Sequence, residues 1–518
     1  MKLSLPLIKD VPKSRVIVEA SARISNTGLK DALPGIDISD GTIDLSVDKG
    51  ALKASGKAKL EGIPVILTWQ RAAGADAKQS AIIEANLDGE ERKKIGIDLG
   101  SFLRGPIGIK ATIDDLGDAE GRVDVTADLH EADMRITAIS WVRPAAAKTT
   151  ASLTYYSKGK DGRRVEDLLI KGPGLSIKGE ISLGAKGTGF REAKFSEMRL
   201  SDENIFSMAV KNNEDVTSVN LRGDSFDARP LIRSMFATKK SAGVASESDD
   251  KPISIALNLD RVHANRGEMI TGVSGELRAR RGRLESAEIS GTFLSGQPVV
   301  FRVTPVEGGR EMRINGRDGG AAIRAANLYS RVAGGQIEFY ALLSNDPGGS
   351  VKTGKLVLRN FEVRNEAALA ELDTKGKPKK SGPRRDAMSF TKLTLPFTSD
   401  DKFIRIGDTL AQGNELGASA EGLIRKSDGV VEITGTIIPM YALNSLFSNI
   451  PLVNEILTGG KGQGIIGVTF ALGGNIDKPV FQMNPVSAIA PGILRKFFEF
   501  GNSQPLQSKN GNSDKVQN

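Results

Sequence analysis

The stretch Ile43-Asp44-Leu45-Ser46-Val47-Asp48 sets three aliphatic side chains against three polar ones in strict alternation. A period of two belongs to a β-strand, whose successive side chains leave opposite faces, so one face is dry and the other wet. The pattern returns in Val123-Asp124-Val125-Thr126-Ala127-Asp128-Leu129, in Ile253-Ser254-Ile255-Ala256-Leu257-Asn258-Leu259 and in Val468-Thr469-Phe470-Ala471-Leu472. Turn signals separate such runs: Asp40-Gly41, Asp48-Lys49-Gly50, Asp161-Gly162 and Asp428-Gly429. Strands joined by tight turns form an antiparallel meander. No crossover helices are read between them, which argues against a doubly wound α/β fold.

A second pattern lies inside the first: apolar, polar, glycine, polar, apolar. It occurs around Gly56, Gly179, Gly275, Gly291 and Gly435, and parity puts each glycine on the apolar face. Glycine within a strand marks a bend, a bulge or the close approach of another body; the plainer alternative is loose strand sequence with the turns placed elsewhere. The expected fold is mainly β, a long antiparallel meander curled into an open, elongated apolar groove with these glycines along its crease. Its expected lining is Ile43, Leu45, Val47, Val123, Val125, Leu129, Ile255, Leu257, Ile433, Ile437, Val468, Phe470 and Leu472. On this reading Val125→Asp blocks the groove, whereas Asp124→Lys on the wet face is nearly silent.

A few short helices interrupt the strands: 231–236 behind Pro230, 321–332, 441–457 broken at Pro451, and 491–500. In the last, Ile493, Leu494, Phe497 and Phe498 share a stripe beside Arg495 and Lys496, either facing a core or touching a bilayer surface. The organisation read from these signals is a groove segment over 1–237, a linker or loop over 238–252, and a groove segment with short helices over 253–373. A basic loop follows over 374–386, then a C-terminal region over 387–500 and a disordered Asn-, Ser- and Gln-rich tail over 501–518. The basic loop reads as solvated, with lipid head-group contact as the alternative.

Composition narrows the function. With 39 % hydrophobic and 26 % charged residues the 518-residue chain can fold, and aromatics at 5 % disfavour a base-stacking surface. The absence of cysteine removes disulfides, thiolate metal sites and thiol nucleophiles. The net charge of +8 is spread among carboxylates rather than clustered, which suits anionic head groups at least as well as nucleic acid; no nucleic-acid partner is expected. No run of ~18 apolar residues is present for a membrane helix, and the first residues lack a signal-peptide core, so the chain reads as part of something longer.

Motifs for chemistry fail on context. Gly462-Gln463-Gly464-Ile465-Ile466-Gly467 matches G-x-G-x-x-G, but a helix precedes and a strand follows, the reverse of a dinucleotide site. There is no P-loop, nucleophile elbow or zinc-protease motif. His130 and His263 sit near carboxylates, as surface histidines commonly do, and the Asp114, Asp115, Asp118, Glu120 cluster lacks calcium-loop spacing. No catalytic residue, metal or cofactor is expected.

The segment 435–444, beginning Gly435-Thr436-Ile437-Ile438-Pro439, then Ile450-Pro451-Leu452, Leu457-Thr458-Gly459-Gly460, Gly467-Val468-Thr469-Phe470, Asn484-Pro485 and Pro491-Gly492, resembles the C-terminal region of AsmA-like proteins. Ala127-Asp128-Leu129 with Ala132, Trp141 with Arg143-Pro144, and Asp318-Gly319-Gly320-Ala321 with Tyr329 and Gly334-Gly335 are similar to the YhdP branch of that family. The resemblance implies a periplasmic protein of the bacterial envelope, anchored in the inner membrane through a segment outside this chain. It implies kinship with bridge-like lipid-transfer proteins, whose apolar groove conducts phospholipid acyl chains between membranes, with a separate upstream segment or an outer-membrane partner. Two further readings stand beside it: a scaffold or assembly factor resembling TamB, acting through protein partners, and a closed β-solenoid adhesin or carbohydrate-binding structure whose interior is filled by side chains.

Overall fold

The computed structural model describes residues 2–4, 17–33, 36–74, 77–158, 162–184, 189–236, 251–345, 351–365, 387–414, 416–439, 468–476 and 478–484. The expected basic loop 374–386, the helices 441–457 and 491–500 with Ile493, Leu494, Phe497 and Phe498, and the tail 501–518 lie outside them. The fold is mainly β, 70 % strand against 6 % helix, in a mixed sheet that is not closed into a barrel. The chain divides into two compact units: residues 1–312 with 344–350, and residues 313–343 with 351–518.

In the first unit the meander runs through Ile36–Asp48, Ala51–Leu60, Ile63–Arg71, Gln79–Leu87, Ile107–Ile113 and Arg122–Asp128, each antiparallel to the last. It continues through Thr150–Tyr156, Arg164–Gly172, Leu175–Leu183, Phe190–Ser201, Asn204–Asn212 and Thr217–Asp227. One pairing departs from the expected antiparallel order. Thr217–Asp227 and Ile253–His263 run parallel, Thr217 opposite Ile253 and Asp227 opposite His263. Parallel neighbours need a long crossover, and the chain between these two strands opens with the helix Arg229–Phe236. Residues 238–250 of the expected linker 238–252 lie outside the described residues; the helix Arg229–Phe236 stands between the two parallel strands, so the expectation of no crossover helix is corrected. Antiparallel order resumes with Met269–Arg280, Arg283–Phe293 and Pro298–Val306.

The second unit runs through Gln336–Leu343, Val351–Arg364, Ala387–Ser399, Phe403–Gly413, Leu416–Arg425, Val430–Pro439, Val468–Asn475 and Lys478–Asn484, all antiparallel. The helix expected over 321–332 is shorter, Gly319–Ala325. Asn327 in the left-handed region (φ 59°) turns the chain away, and Val332–Ala333 forms a two-residue strand instead.

Candidate functional site

Four of the five crease glycines share one geometry, and Gly291 differs in meeting side-chain methyls first. A Cβ built on Gly56 would lie 2.0 Å from the Thr42 carbonyl oxygen, and one on Gly275 would lie 2.1 Å from that of Glu288. At Gly179 and Gly435 the nearest atoms are the carbonyl oxygens of Lys194 (2.5 Å) and Ser419 (2.2 Å); at Gly291 the nearest is an Ile270 methyl (2.6 Å). A neighbouring strand thus passes where a side chain would stand, which happens when a sheet bends sharply toward that face. Gly223, Gly354 and Gly422 do the same against Phe206, Tyr340 and Glu432. The five-residue pattern misses them because their flanks are not the required polar-apolar pair.

Cover differs across four of these glycines at the nearest apolar position on each side, whereas Ala54 and Ala58 are buried on both sides of Gly56, and Ala287 and Val431, one step further out, are buried as well. On one side of Gly179, Gly275, Gly291 and Gly435 stand Ile177 (2 % exposed), Val273 (6 %), Phe293 (2 %) and Ile437 (3 %). On the other side Ile181, Leu277, Ile289 and Ile433 face the same way and are only half-buried. The difference comes from what lies over each end of the strands.

In the first unit the buried end is roofed by residues 88–105 and 129–146, on either side of two meander strands. The helix Gly89–Lys94, a three-stranded sheet of Leu103–Arg104, Asp133–Ile136 and Trp141–Arg143, and the turn Thr137–Ile139 form this lid. Leu103, Ala132 and Met134, backed by Phe102, Ile139 and Trp141, enter one cluster with the strand-end residues Ile170, Ile177, Met198, Leu200, Phe206 and Leu259. Each of the larger aliphatic or aromatic side chains fully taken from water contributes about 1.5–3 kcal/mol. Trp141 Nε1 donates to the Leu200 carbonyl (3.0 Å), joining lid to strand. Buried Arg92 holds the lid's base, donating to the carbonyls of Leu87 (3.1 Å), Gly105 (2.7 Å) and Leu103 (3.2 Å). Asp133 accepts from the Ala145 amide (2.7 Å) and Arg135 (2.9 Å); these hydrogen bonds, the amide's first, hold its carboxyl below the usual carboxylate range.

The second unit carries a segment of the same plan and length as the first part of this lid. Asp88–Gly105 and Asp318–Gly335 each open on an aspartate whose carboxylate accepts from the third helical amide, Glu91 or Ala321. Each continues into a two-residue strand, and each ends on a glycine with positive φ (97° and 81°). Arg324 donates to the Val332 carbonyl (2.6 Å), as Arg92 does to that of Leu103. Ile323, Leu328, Tyr329 and Val332 cover Ile337, Leu358, Phe361, Phe390, Leu416 and Ile437.

The predicted lining residues fall on both sides of this division. Ile43 is buried, and Leu45 packs with it against Ala54, Ala58, Leu60 and Val65. Val47, Val123, Val125, Ile255 and Leu257 lie on the half-buried face; Leu257 stands opposite Gly275 and Ile255 opposite Leu277. Leu129 sits one residue past the strand Arg122–Asp128 and is buried in the lid cluster. In the second unit Ile433 stands opposite Leu472, Gly435 opposite Phe470, and Ile437, beneath the lid, opposite Val468. Phe470 stacks on Phe481 with ring centroids 5.1 Å apart. Asp124 is not an idle wet-face residue: it accepts from buried Thr154 (2.7 Å) and from Arg122. Asp124→Lys would orphan that hydroxyl and set two cations together, so the expectation of a silent substitution is corrected.

The wet face carries cross-strand ion pairs, among them Lys178–Glu197, Lys194–Glu180 and Arg23–Asp44, which keep it hydrated. His263 Nε2 lies 2.8 Å from the hydroxyl of Ser225, and that hydroxyl donates to the Glu203 carbonyl (3.0 Å). With its one proton committed, buried Ser225 must accept from the ring, so the pair ties the parallel strands together rather than presenting a nucleophile. Among the described residues no three acidic or histidine side chains converge as a metal site, and no helix is long and apolar enough to cross a membrane. Compared with family models, curated proteins and solved structures, the chain finds no significant match.

Proposed function

We propose that the uncovered half of the apolar face in each unit is a trough for phospholipid acyl chains, and that the protein is a non-enzymatic lipid conduit of the bacterial envelope, working in the periplasm in the manner of AsmA-like proteins. One observation carries the reading: beyond the crease glycines, Ile181, Leu277 and Ile433 point inward, are only half-buried, and belong to none of the buried clusters. A sandwich would bury such residues against a second sheet. Here the extensive contacts of each strand are with its ladder neighbours.

The chemistry of a lipid suits this surface. An acyl chain of ~16 methylenes loses about 13 kcal/mol when fully hydrated, at ~0.8 kcal/mol each, so passage through water requires continuous apolar cover. Repeated small aliphatics offer that cover without one pocket deep enough to trap the chain. The test is mass spectrometry of phospholipid co-purifying with the full chain, together with photo-crosslinking of bound lipid. Val125→Asp on the half-buried face should abolish both signals. Thr126→Asp, on the wet face opposite Lys110, should leave them intact. Equal loss in both variants at equal abundance, or a wild-type chain free of lipid, overturns the proposal; the lipid-free result favours a scaffold acting through protein partners.

A further inference from the structure

We infer that Thr409 gives the trough of the second unit a preference for acyl chains that carry a hydroxyl near their middle; this rests on the trough reading above. In the strand Phe403–Gly413, unbroken alternation would set Ile404, Ile406, Asp408 and Leu410 on one face. A β-bulge breaks it. Ile406 stands opposite Phe397 and Leu410 opposite Thr394, so Gly407, Asp408 and Thr409 face only Leu395 and Pro396. Asp408 takes the left-handed region (φ 41°) within the bulge. Beyond it the parity is reversed: Leu410 is 49 % exposed on the wet face, and Thr409, 6 % exposed, joins Ala411 on the dry one. The Thr409 hydroxyl is buried and has no hydrogen-bond partner. A buried hydroxyl left unpaired is unfavourable, and bulges that re-aim a side chain concentrate beside functional sites.

Position gives the hydroxyl its meaning. Thr409 stands opposite Ala420, and Ala420 opposite Gly435, which sets Thr409 in the crease row between half-buried Ala420 and Leu395. A second unpartnered hydroxyl lies nearer the rim of the same dry face. Ser399 shares the parity of Phe397, stands opposite Ile404, and its buried Oγ has no partner. Two residues separate Ala420 from Gly422, opposite Ile406, and two more separate Ile406 from Ile404. The two hydroxyls are therefore about 13 Å apart along the strands, at ~3.3 Å per residue. An extended acyl chain advances about 1.25 Å per carbon, its bonds being ~1.5 Å long, so an ester at Ser399 brings roughly the eleventh or twelfth carbon to Thr409. A hydroxyl at that carbon pairs with Thr409, which can donate or accept; a plain methylene leaves it unpaired.

The test uses the full chain and lysophosphatidylcholines kept below the concentration at which they form micelles. Their octadecanoyl chain is plain, hydroxylated at its twelfth carbon, or hydroxylated at its third. Wild type should bind the twelfth-carbon chain about tenfold more tightly than the plain one, the gain of one hydrogen bond at a group otherwise unpaired. The third-carbon chain should bind no better than the plain one. Thr409→Val should erase the preference, keep the plain-chain affinity and raise the urea midpoint, because it removes the unpaired hydroxyl; Thr409→Ser should keep the preference. Equal binding of the plain and twelfth-carbon chains, or a preference that survives in Thr409→Val, overturns this assignment and leaves the trough standing. Equal binding of the two hydroxylated chains overturns the depth assigned to Thr409. Free hydroxyoctadecanoate binding more tightly than its lysophospholipid makes this a fatty-acid site and overturns the ester at Ser399. If wild type binds none of the three lysophospholipids, the trough itself falls.

Discussion

Replacing Gly56 by alanine tests the crease with one methyl group. The new Cβ would lie 2.0 Å from the Thr42 carbonyl oxygen and 2.9 Å from Ile43 Cα. A carbon meets a carbonyl oxygen comfortably at ~3.3 Å, so the strand Ile36–Asp48 must retreat by roughly 1 Å. A ladder carbonyl has no rotamer by which to step aside. Overpacking of this kind costs about 1–3 kcal/mol, and each backbone hydrogen bond loosened nearby adds about 1 kcal/mol, so the expected loss is about 2–4 kcal/mol. Gly56 does not lie among the positive-φ positions, so backbone strain contributes nothing. Gly108 is the matched control: in a strand of the same unit, its Cβ would make an ordinary 3.8 Å contact with Asp128. Gly108→Ala should be neutral or stabilise by about 0.4–1 kcal/mol, because the unfolded chain loses freedom. Both tryptophans, Trp69 and Trp141, lie in this unit, and Trp69 packs beside Ile43 and Ala54. Urea unfolding followed by their fluorescence should show a lowered midpoint for Gly56→Ala alone. Equal midpoints would mean that the strands do not crowd this glycine and that the face is flat.

The first lid depends on Arg92, which is 3 % exposed and serves three carbonyls. Arg92→Met should cost about 1–3 kcal/mol and speed amide exchange at Leu103–Arg104 and Asp133–Ile136, while Ile253–His263 keeps its protection; unchanged lid exchange would show that the helix is held by other means. Asp133 sets a pH response in the same lid. Because its folded pKa is depressed, the stabilisation is present above the unfolded value of ~3.9 and is lost as pH falls through the folded one. Protection of the Ala145 amide should therefore drop on acidification below about pH 4 in the native protein, and not in Asp133→Asn, which cannot ionise. The same acid response in both would assign it to another group.

Alternation was readable in Ile43–Asp48 and Ile253–Leu259 because it depends only on which face each residue takes, a local property of an extended backbone. The crease glycines were readable for a related reason: where a neighbouring strand occupies the Cβ position, no other residue fits, so the restriction is written at one site. The lids were not. Phe102, Leu103, Met134 and Trp141 come from short, irregular segments with no period to count, and the match between Asp88–Gly105 and Asp318–Gly335 lies in shared turns and caps more than in shared side chains. Leu129 kept the parity of Val123 and Val125, yet its strand ends one residue earlier and its side chain enters the roof. The hydrogen bond from Thr154 to Asp124 joins residues far apart in the chain, and no pattern within either strand announces it.

What the amino-acid order determined alone is a dry and a wet face on each strand, and the points where the sheet can bend. These follow from side-chain parity and from the missing methyl of glycine. What only the tertiary structure decided is the parallel step between Thr217–Asp227 and Ile253–His263, and which half of the dry face is covered. A half-buried strand has the same pattern whether its neighbour runs with it or against it. Whether an aliphatic side chain ends in a core or in an open trough depends on a segment that folds over it from elsewhere in the chain.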